Sequence, residues 1–459
     1  MALPEKFVDR VLRDLGPVEG RALCDALGGT PPVSVRLNPA KAAVPEELAE
    51  LRPTERVPWC GAGYYLAERP QFTLDTDFHA GAYYVQEASS QFVGYLLRDV
   101  PCEGARILDL CAAPGGKTTL YASLAGADGL VVANEVDRRR AQVLADNVRK
   151  WGTGNVVVTA CDAAQFGDRE AWFDVVAVDA PCSGEGMFRK DAEACTEWSE
   201  GNVRLCAARQ EEILQAAWRT LRPGGMLIYS TCTFNRDEDE GSLERLLERV
   251  GEEAVEAEEI PVDAAWGIVC GRVGAFRTYR FYPHRACGEG FFAAVARKAP
   301  DAGGRSRTPK ARRSAIVPAD RAAAAELGRW VREPERMRFG MAGETCYGWY
   351  AAQADAVRSL SETLPVIYSG VAMGQLFKGK LKPDPALAFF TGLDRRALPA
   401  TELDGEEALR YLRRQEVAAG RFAEGMNLVT ARGRALGFAK RIGNRVNNLY
   451  PNSLRIMKL

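Results

Sequence analysis

The chain has 459 residues, 47% hydrophobic and 26% charged, with a formal net charge of −1. This is an ordinary globular composition, long enough for two or three domains with a substantial core, and it excludes a disordered chain. Twelve cysteines without a CxxC pair and only two histidines favour neither a metal site nor a disulfide scaffold, so no metal is expected and most thiols should be reduced, buried small hydrophobes.

In chain order, MALPEKFVDRVLRDLG carries charges every few residues and no apolar stretch of signal-peptide or membrane-span length, which predicts a cytoplasmic protein without membrane contact. Its helical pattern, Phe7, Val8, Val11, Leu12 and Leu15, leads through the alternating run VSVRLN into Pro- and Gly-rich turns. Residues 1–80 therefore read as a small α+β accessory domain. From 81 to 300 apolar runs (ARILDL, GLVVANE, NVVVTAC, FDVVAVDA, GMLIYST, GFFAAVARK) alternate with helices expected at 117–125, 137–150, roughly 202–221 and 236–249. Such alternation means βαβ units and a mostly parallel, doubly wound α/β sheet. The helix at 236–249 has Leu243, Leu246 and Leu247 on one stripe and charge elsewhere, and is expected at the surface with no functional part.

PDAGGRSRTPKARRS, beginning at Pro300, is rich in Gly, Ser, Pro and Arg and marks 301–315 as a basic linker. Beyond it, 316–459 holds short segments such as PVIYSGVAMGQLF and LGFAKRIGNRVNNLY, which predict one or two small α/β or β-barrel modules. Charge is unevenly shared. From residue 301 there are 27 Lys/Arg against 16 Asp/Glu, and after Glu424 only basic residues follow: Arg432, Arg434, Lys440, Arg441, Arg445, Arg455 and Lys458. A polyanion-binding face and a merely solvated tail both remain open.

ILDLCAAPGGKTT, residues 107–119, reads as a strand, a Gly-rich turn and a helix start, where backbone can approach a ligand and free N–H groups can meet it. A P-loop needs Gly six residues before the Lys of its Gly-Lys pair, and Cys111 stands there. A dinucleotide fingerprint needs G-x-G-x-x-G, which Pro114, Gly115 and Gly116 do not supply. S-adenosylmethionine needs no diphosphate clamp, only a turn that admits its methionine part and an acid for its ribose hydroxyls at the end of the next strand. Glu135 ends that strand, Asp162 follows the third in position for an adenine amino group, and Asp179 ends the fourth. One strand-end acid is usually a cap or turn former; three in register behind a Gly-rich turn point to a cofactor beyond the carboxyl ends of a parallel sheet.

VDAPCSGEG (178–186) and IYSTCTF (228–234) each place a cysteine at the end of an apolar run, giving Cys182 and Cys232 the access that a reactive thiol needs. LDLCAAPGGKT, DAPCSGEG and STCTFNRDEDE, in this order and spacing, resemble the Fmu/Sun-type RNA cytosine-5 methyltransferases. YYVQEASSQF (83–92) is similar to the helix that this family sets before its cofactor loop, and GEGFFAAVARK to its closing strand. PVIYSGVAMGQLFKGKLKPDPALA and RIGNRVNNLYP resemble the C-terminal region of the RsmF-like bacterial branch, so the likeness covers nearly the whole chain.

The resemblance implies a Rossmann-like methyltransferase domain, an N-terminal RNA-binding domain and a C-terminal region ending in a PUA-like β-barrel. It also implies S-adenosyl-L-methionine as cofactor and 16S rRNA of the small subunit, near the decoding site, as substrate, with monomer as the default state. Carried over by motif, the cofactor residues are Cys111, Ala112, Ala113, Pro114, Gly115, Gly116, Lys117, Glu135, Asp162 and Asp179, with Arg140 as an extension.

Cytosine C5 is a poor nucleophile. A thiolate adding to C6, with protonation at N3, makes the ring an enamine whose C5 can take a methyl group, after which a base removes the C5 proton and the thiolate leaves. Asp179, three residues before Cys182, is the candidate acid near N3, which requires a raised pKa. Residue chemistry alone does not rank the two sulfurs. DNA cytosine methyltransferases attack from a Pro-Cys pair, which would point to Cys182; the family resembled here attacks from Thr-Cys, which implies Cys232 as nucleophile and Cys182 as the releasing group. Attack at C6 comes from above the ring plane, so the base must be flipped or unpaired. Lys190 in MFRKD stands open between positioning the substrate and solvating a loop; His284 in YPHRACGEG is read as a structural hydrogen-bonding residue and Trp198 as core.

Overall fold

The computed structural model describes residues 3–48, 50–303 and 316–457. Most of the expected linker, 304–315, lies outside the described residues, as does Lys458. Helix α1 (Glu5–Leu27) is interrupted at Gly16, whose φ of +78° precedes Pro17. Its buried Phe7, Val11, Leu23 and Leu27 pack on Phe188, Trp198, Val203, Phe234 and Tyr282, so the first helix props the loops of the central domain. Trp198 is core, as expected.

The N-terminal sheet has strands β1 (Val33–Leu37), β2 (Pro53–Arg56), β3 (Gly63–Leu66) and, after the short helix α2 (Thr76–Ala80), β4 (Tyr83–Val85), in the order β2-β3-β1-β4. The boundary expected at 80 falls just before this fourth strand. YYVQEASSQF, expected as a helix, opens instead as β4, because Val35, Arg36 and Leu37 of β1 pair with it; the helix α3 (Phe92–Leu96) begins only at its end.

The central sheet contains β5 (Arg106–Asp109), β6 (Leu130–Asn134), β7 (Val156–Thr159), β8 (Phe173–Asp179), β9 (Leu221–Thr231), β10 (Val255–Ala257), β11 (Val269–Val273), β12 (Phe276–Phe281) and β13 (Phe291–Lys298). Its order is β11-β12-β13-β9-β8-β5-β6-β7, with β9 through β7 parallel and β13 antiparallel to β9. Alternation along each strand feeds two cores. Ile107, Val131 and Val175 face α4 (Gly116–Ala125) and α5 (Arg138–Trp151) through Leu120, Leu144 and Val148. Leu108, Val132 and Val176 face α6 (Glu200–Thr220) and α7 (Glu240–Val250) through Leu214, Trp218, Leu243 and Leu246.

Two features correct the sequence reading. Residues 236–239 do not begin α7, which starts at Glu240; Glu238 and Asp239 are buried, so the acidic run is not all surface. Nor does the central domain stop at 300. The β7–β8 connection holds only a 3₁₀ turn, Ala163–Asp168, and the helix Ala354–Thr363 covers that face with Val357 and Leu360. Fully buried Arg169 donates to the Ser359 carbonyl at 2.7 Å and Thr363 Oγ1 at 2.6 Å, and Val366–Ser369 pairs antiparallel with β7 as an extra edge strand. Periodicity could not reveal this, because the partners lie about 200 residues apart.

The remaining C-terminal strands form a five-stranded sheet, ending in Val371–Phe377 and Lys380–Pro383, and a four-stranded one: Ala400–Glu402, Gly425–Ala431, Arg434–Ile442 and Arg445–Asn448. The last sheet docks on α2, where Tyr411, Leu436 and Tyr450 pack with Ala80 and Phe389. Two of the tail's arginines serve this seam: Arg432 pairs with Glu50 and Asp77, and Arg434 with Glu47 and Asp77. Among the described residues no helix is long and apolar enough to cross a membrane.

Candidate active site

The strand order reverses between β5 and β8, and in an open α/β sheet the crevice beyond such a point is where ligands bind. The loop leaving β5 is gripped from several sides. The Ala112 N–H donates to the Asn134 carbonyl at 2.8 Å, Asn147 Nδ2 to the Pro114 carbonyl at 2.9 Å, and Arg140 to the Ala113 carbonyl at 3.1 Å. Arg36 reaches in from β1, donating to the Gly116 carbonyl at 3.1 Å and Thr119 Oγ1 at 2.6 Å. Gly115 starts α4 at φ +112°, and a Cβ there would stand 3.1 Å from the Leu144 side chain, so this position demands glycine.

Around the loop stand four carboxylates. Asp109, at the end of β5, accepts from Thr118 Oγ1 at 2.6 Å on one oxygen; its other oxygen is buried without a partner, and burial pushes its pKa up to about 7. Glu135 is buried, accepts from the Asp137 N–H at 3.1 Å and pairs with Arg140 at 3.3 Å. Asp162 is exposed and caps the Ala164 N–H. Asp179 accepts from Ser230 Oγ at 2.8 Å and pairs with Lys117 Nζ at 2.7 Å. A buried carboxylate oxygen without a donor beside a backbone cradle fits a ligand with cationic and hydroxyl groups, the character of S-adenosylmethionine. Burial raises the Cys111 thiol, leaving it an inert wall of the cradle.

Parallel pairing sets Asp179 of β8 opposite Ser230 of β9, so the loops leaving both strands emerge side by side. Cys182 and Cys232 sit on those loops with their sulfurs 3.4 Å apart. The contact with Cys232, followed by burial, pushes the Cys182 thiol well above its ordinary range. The Gly186 N–H donates to the Cys232 carbonyl at 2.8 Å, and a Cβ on Gly186 would stand 2.8 Å from that oxygen.

Behind the sulfurs lies a buried polar network that the sequence reading missed. Glu238 accepts from the Ser183 N–H, Gln210 Nε2 (both 2.9 Å) and Asn235 Nδ2 (2.7 Å). Glu185 accepts from the Phe234 N–H at 2.8 Å, Trp198 Nε1 at 3.0 Å and Asn235 Nδ2 at 3.1 Å. These bonds pull 235–239 out of helix and tie the two cysteine loops together. The only signal for them was the NRDE run after the second cysteine, read as surface charge. Asp109 and Arg36 were missed as well: Asp109 sits inside the apolar run ILDLC, and Arg36 lies on a strand of the N-terminal sheet, far from the motif in sequence. Lys190 pairs with buried Glu289 at 2.5 Å, and His284 Nε2 meets Glu19 at 2.8 Å in a structural contact. Among the described residues no cluster of His, Cys, Asp and Glu could hold a metal ion.

A parallel sheet with an antiparallel edge, a Gly-rich first turn and strand-end acids define a Rossmann-like methyltransferase of the S-adenosylmethionine fold class. Residues 95–297 match the family described as 16S rRNA methyltransferase RsmB/F, residues 3–88 the N-terminal domain of 16S rRNA methyltransferase RsmF, and residues 399–456 the RsmF PUA domain. The ribosomal RNA small subunit methyltransferase F of Klebsiella pneumoniae (strain 342) is 35% identical over 92% of this chain and 90% of its own length. Its namesake from Erwinia tasmaniensis is 32% identical with the same coverage. A crystal structure of a methyltransferase homologue from Pyrococcus horikoshii superposes with a TM-score of 0.54 at 28% identity, covering 64% of this chain and 95% of that one. The chain belongs to the RsmB/F family of 16S rRNA methyltransferases, in its RsmF branch.

Proposed function

We propose that this protein transfers the methyl group of S-adenosylmethionine to C5 of a cytidine in 16S rRNA near the decoding site, through a covalent adduct with Cys232. The observation that carries this reading is the 3.4 Å approach of the Cys182 and Cys232 sulfurs beside the Lys117–Asp179 pair. A lone packed thiol needs no such partner.

The loop from Cys111 to Lys117, with Asp109, Glu135, Asp162 and Asp179, would hold the cofactor, whose sulfonium supplies an electrophilic methyl group. Arg140, bonded to both Glu135 and the Ala113 carbonyl, orients the loop against that acid. Cys182 holds its proton and donates it toward Cys232, which stabilises a thiolate on Cys232. That thiolate adds to C6 while a proton is delivered to N3. Asp179 is the group assigned to N3; as the carboxylate paired with Lys117 it must first take a proton, which the Lys117 ammonium at 2.7 Å can supply, before it passes one to N3.

Once Cys232 sulfur is bonded to carbon, the largest of the influences that raise Cys182, its contact with that sulfur, is altered, while burial and Glu238 still act on it. In this reading Cys182 passes its proton to solvent water, accepts the C5 proton after methylation, and lets the C6–S bond break. The same coupling thus makes Cys182 a donor before attack and a base after it.

The test is a denaturing gel of the protein incubated with S-adenosylmethionine and small-subunit RNA or subunits. A slow-migrating protein–RNA adduct is expected to accumulate with Cys182→Ala and to be absent with Cys232→Ala. The reverse pattern would assign attack to Cys182, and no adduct from either would count against the substrate or the covalent route.

A further inference from the structure

Among the aromatic residues, Phe377 is anomalous: it is 69% exposed, at the tip of the hairpin formed by Val371–Phe377 and Lys380–Pro383. The pairing register sets Gln375 opposite Lys382, Leu376 opposite Leu381 and Phe377 opposite Lys380. Leu376 and Leu381 turn inward onto the core shared with Met373 and Leu387. By strand alternation Gln375, Phe377, Lys380 and Lys382 share the outer face, and all four are exposed.

The two-residue loop between the strands is Lys378-Gly379, with φ of +50° and +74°. Such a loop favours Asn-Gly, and a lysine at positive φ is held against its own preference. Lys378 Nζ lies 5.6 Å from the Phe377 ring centre. Among the described residues none of Lys378, Lys380 and Lys382 makes an ion pair. Glu344 touches the patch only at its base, through Gln375 Nε2 at 3.5 Å.

Lysines on the sheet's edge strand would by themselves guard against edge-to-edge pairing. That reading explains neither an exposed ring set among them nor a lysine where the turn asks for Asn. We propose that this hairpin is a second RNA-docking surface, on which Phe377 stacks on an unpaired base while Lys378, Lys380 and Lys382 take the flanking phosphates. The chemistry is an aromatic face for a base and uncompensated cations for a polyanion. The surface lies before residues 399–456, outside the segment that matches the PUA domain. The proposal rests on the reading of the substrate as rRNA.

The test uses the full-length protein and 16S rRNA, naked and within small subunits, with equilibrium binding measured over a salt series. Phe377→Ala should weaken binding about tenfold with little change in salt slope, and Phe377→Trp should restore it. Lys378→Asn, which suits the turn, combined with Lys380→Ala and Lys382→Ala should lower the slope by about 2. Melting temperatures should match wild type in every variant. Unchanged affinity and slope, with wild type methylating the same RNA, would overturn the proposal while leaving the enzyme's function intact. Weakening confined to subunits, with naked rRNA bound normally, would make the occupant a ribosomal protein and overturn it too. A wild-type protein that neither binds nor methylates the RNA would overturn the substrate reading, and this proposal with it.

Discussion

Two buried acidic clusters are built in opposite ways. Behind the cysteines, Glu185 and Glu238 take only neutral donors: backbone N–H groups, Asn235, Gln210 and the Trp198 indole. At the seam between α2 and the last sheet, Asp77 is held by the cations of Arg432 and Arg434. Neutral donors satisfy the carboxylates without cancelling their charge, and Glu238 accordingly adds to the field that keeps Cys182 protonated. Arginines cancel charge and gain orientation, which suits a joint between domains.

The largest effect on stability is expected at the seam. Asp77→Ala removes the buried carboxylate that both guanidiniums share, leaves them the more exposed Glu50 and Glu47, and should cost about 3 kcal/mol by chemical denaturation, with earlier proteolysis of the last sheet. If the seam were merely surface, the loss would be near zero.

Asn235→Ala removes an amide shared by Glu185 and Glu238, for an expected cost of about 2 kcal/mol. Unlike Asp77→Ala it should also slow adduct formation at Cys232. Equal activity loss from both variants would erase the contrast between the clusters.

His79 sharpens the comparison through pH. Its Nε2–H donates to the Thr73 carbonyl at 2.9 Å, leaving Nδ1 to accept from Tyr450 at 3.2 Å, and burial lowers its pKa from 6.5 to about 4. Between those values the unfolded chain binds a proton that the folded chain refuses. Stability should therefore fall as pH drops from 6.5 to 4, by at most about 3 kcal/mol, and level off below. His79→Gln should flatten that limb of the melting curve. The smallest effect is expected from Arg396→Ala, whose 87% exposed side chain pairs, among the described residues, only with Asp394: no measurable change in melting temperature.

The central β runs, the Gly-rich turn and both cysteines are legible in the chain because each is a local pattern of apolar period, turn chemistry or motif. Glu135, Asp179, Cys182 and Cys232 stand out on those patterns alone, and Lys117 through the family resemblance. Glu238 and Asn235 do not, since a buried acid and a solvated one look alike in a charged run until the neighbours that donate to it are known.

The sequence by itself determined the alternation of strands and helices, the place of the Gly-rich turn after the first strand of the central sheet and the identity of the two strand-end sulfurs. Only the tertiary structure decided that those sulfurs meet at 3.4 Å, that Arg36 of the N-terminal sheet grips the Gly-rich loop, and that Val366–Ser369 completes the central sheet. The reason is range: periodicity and capping act over a few residues, whereas these contacts join segments 50 to about 200 residues apart, and only packing selects them.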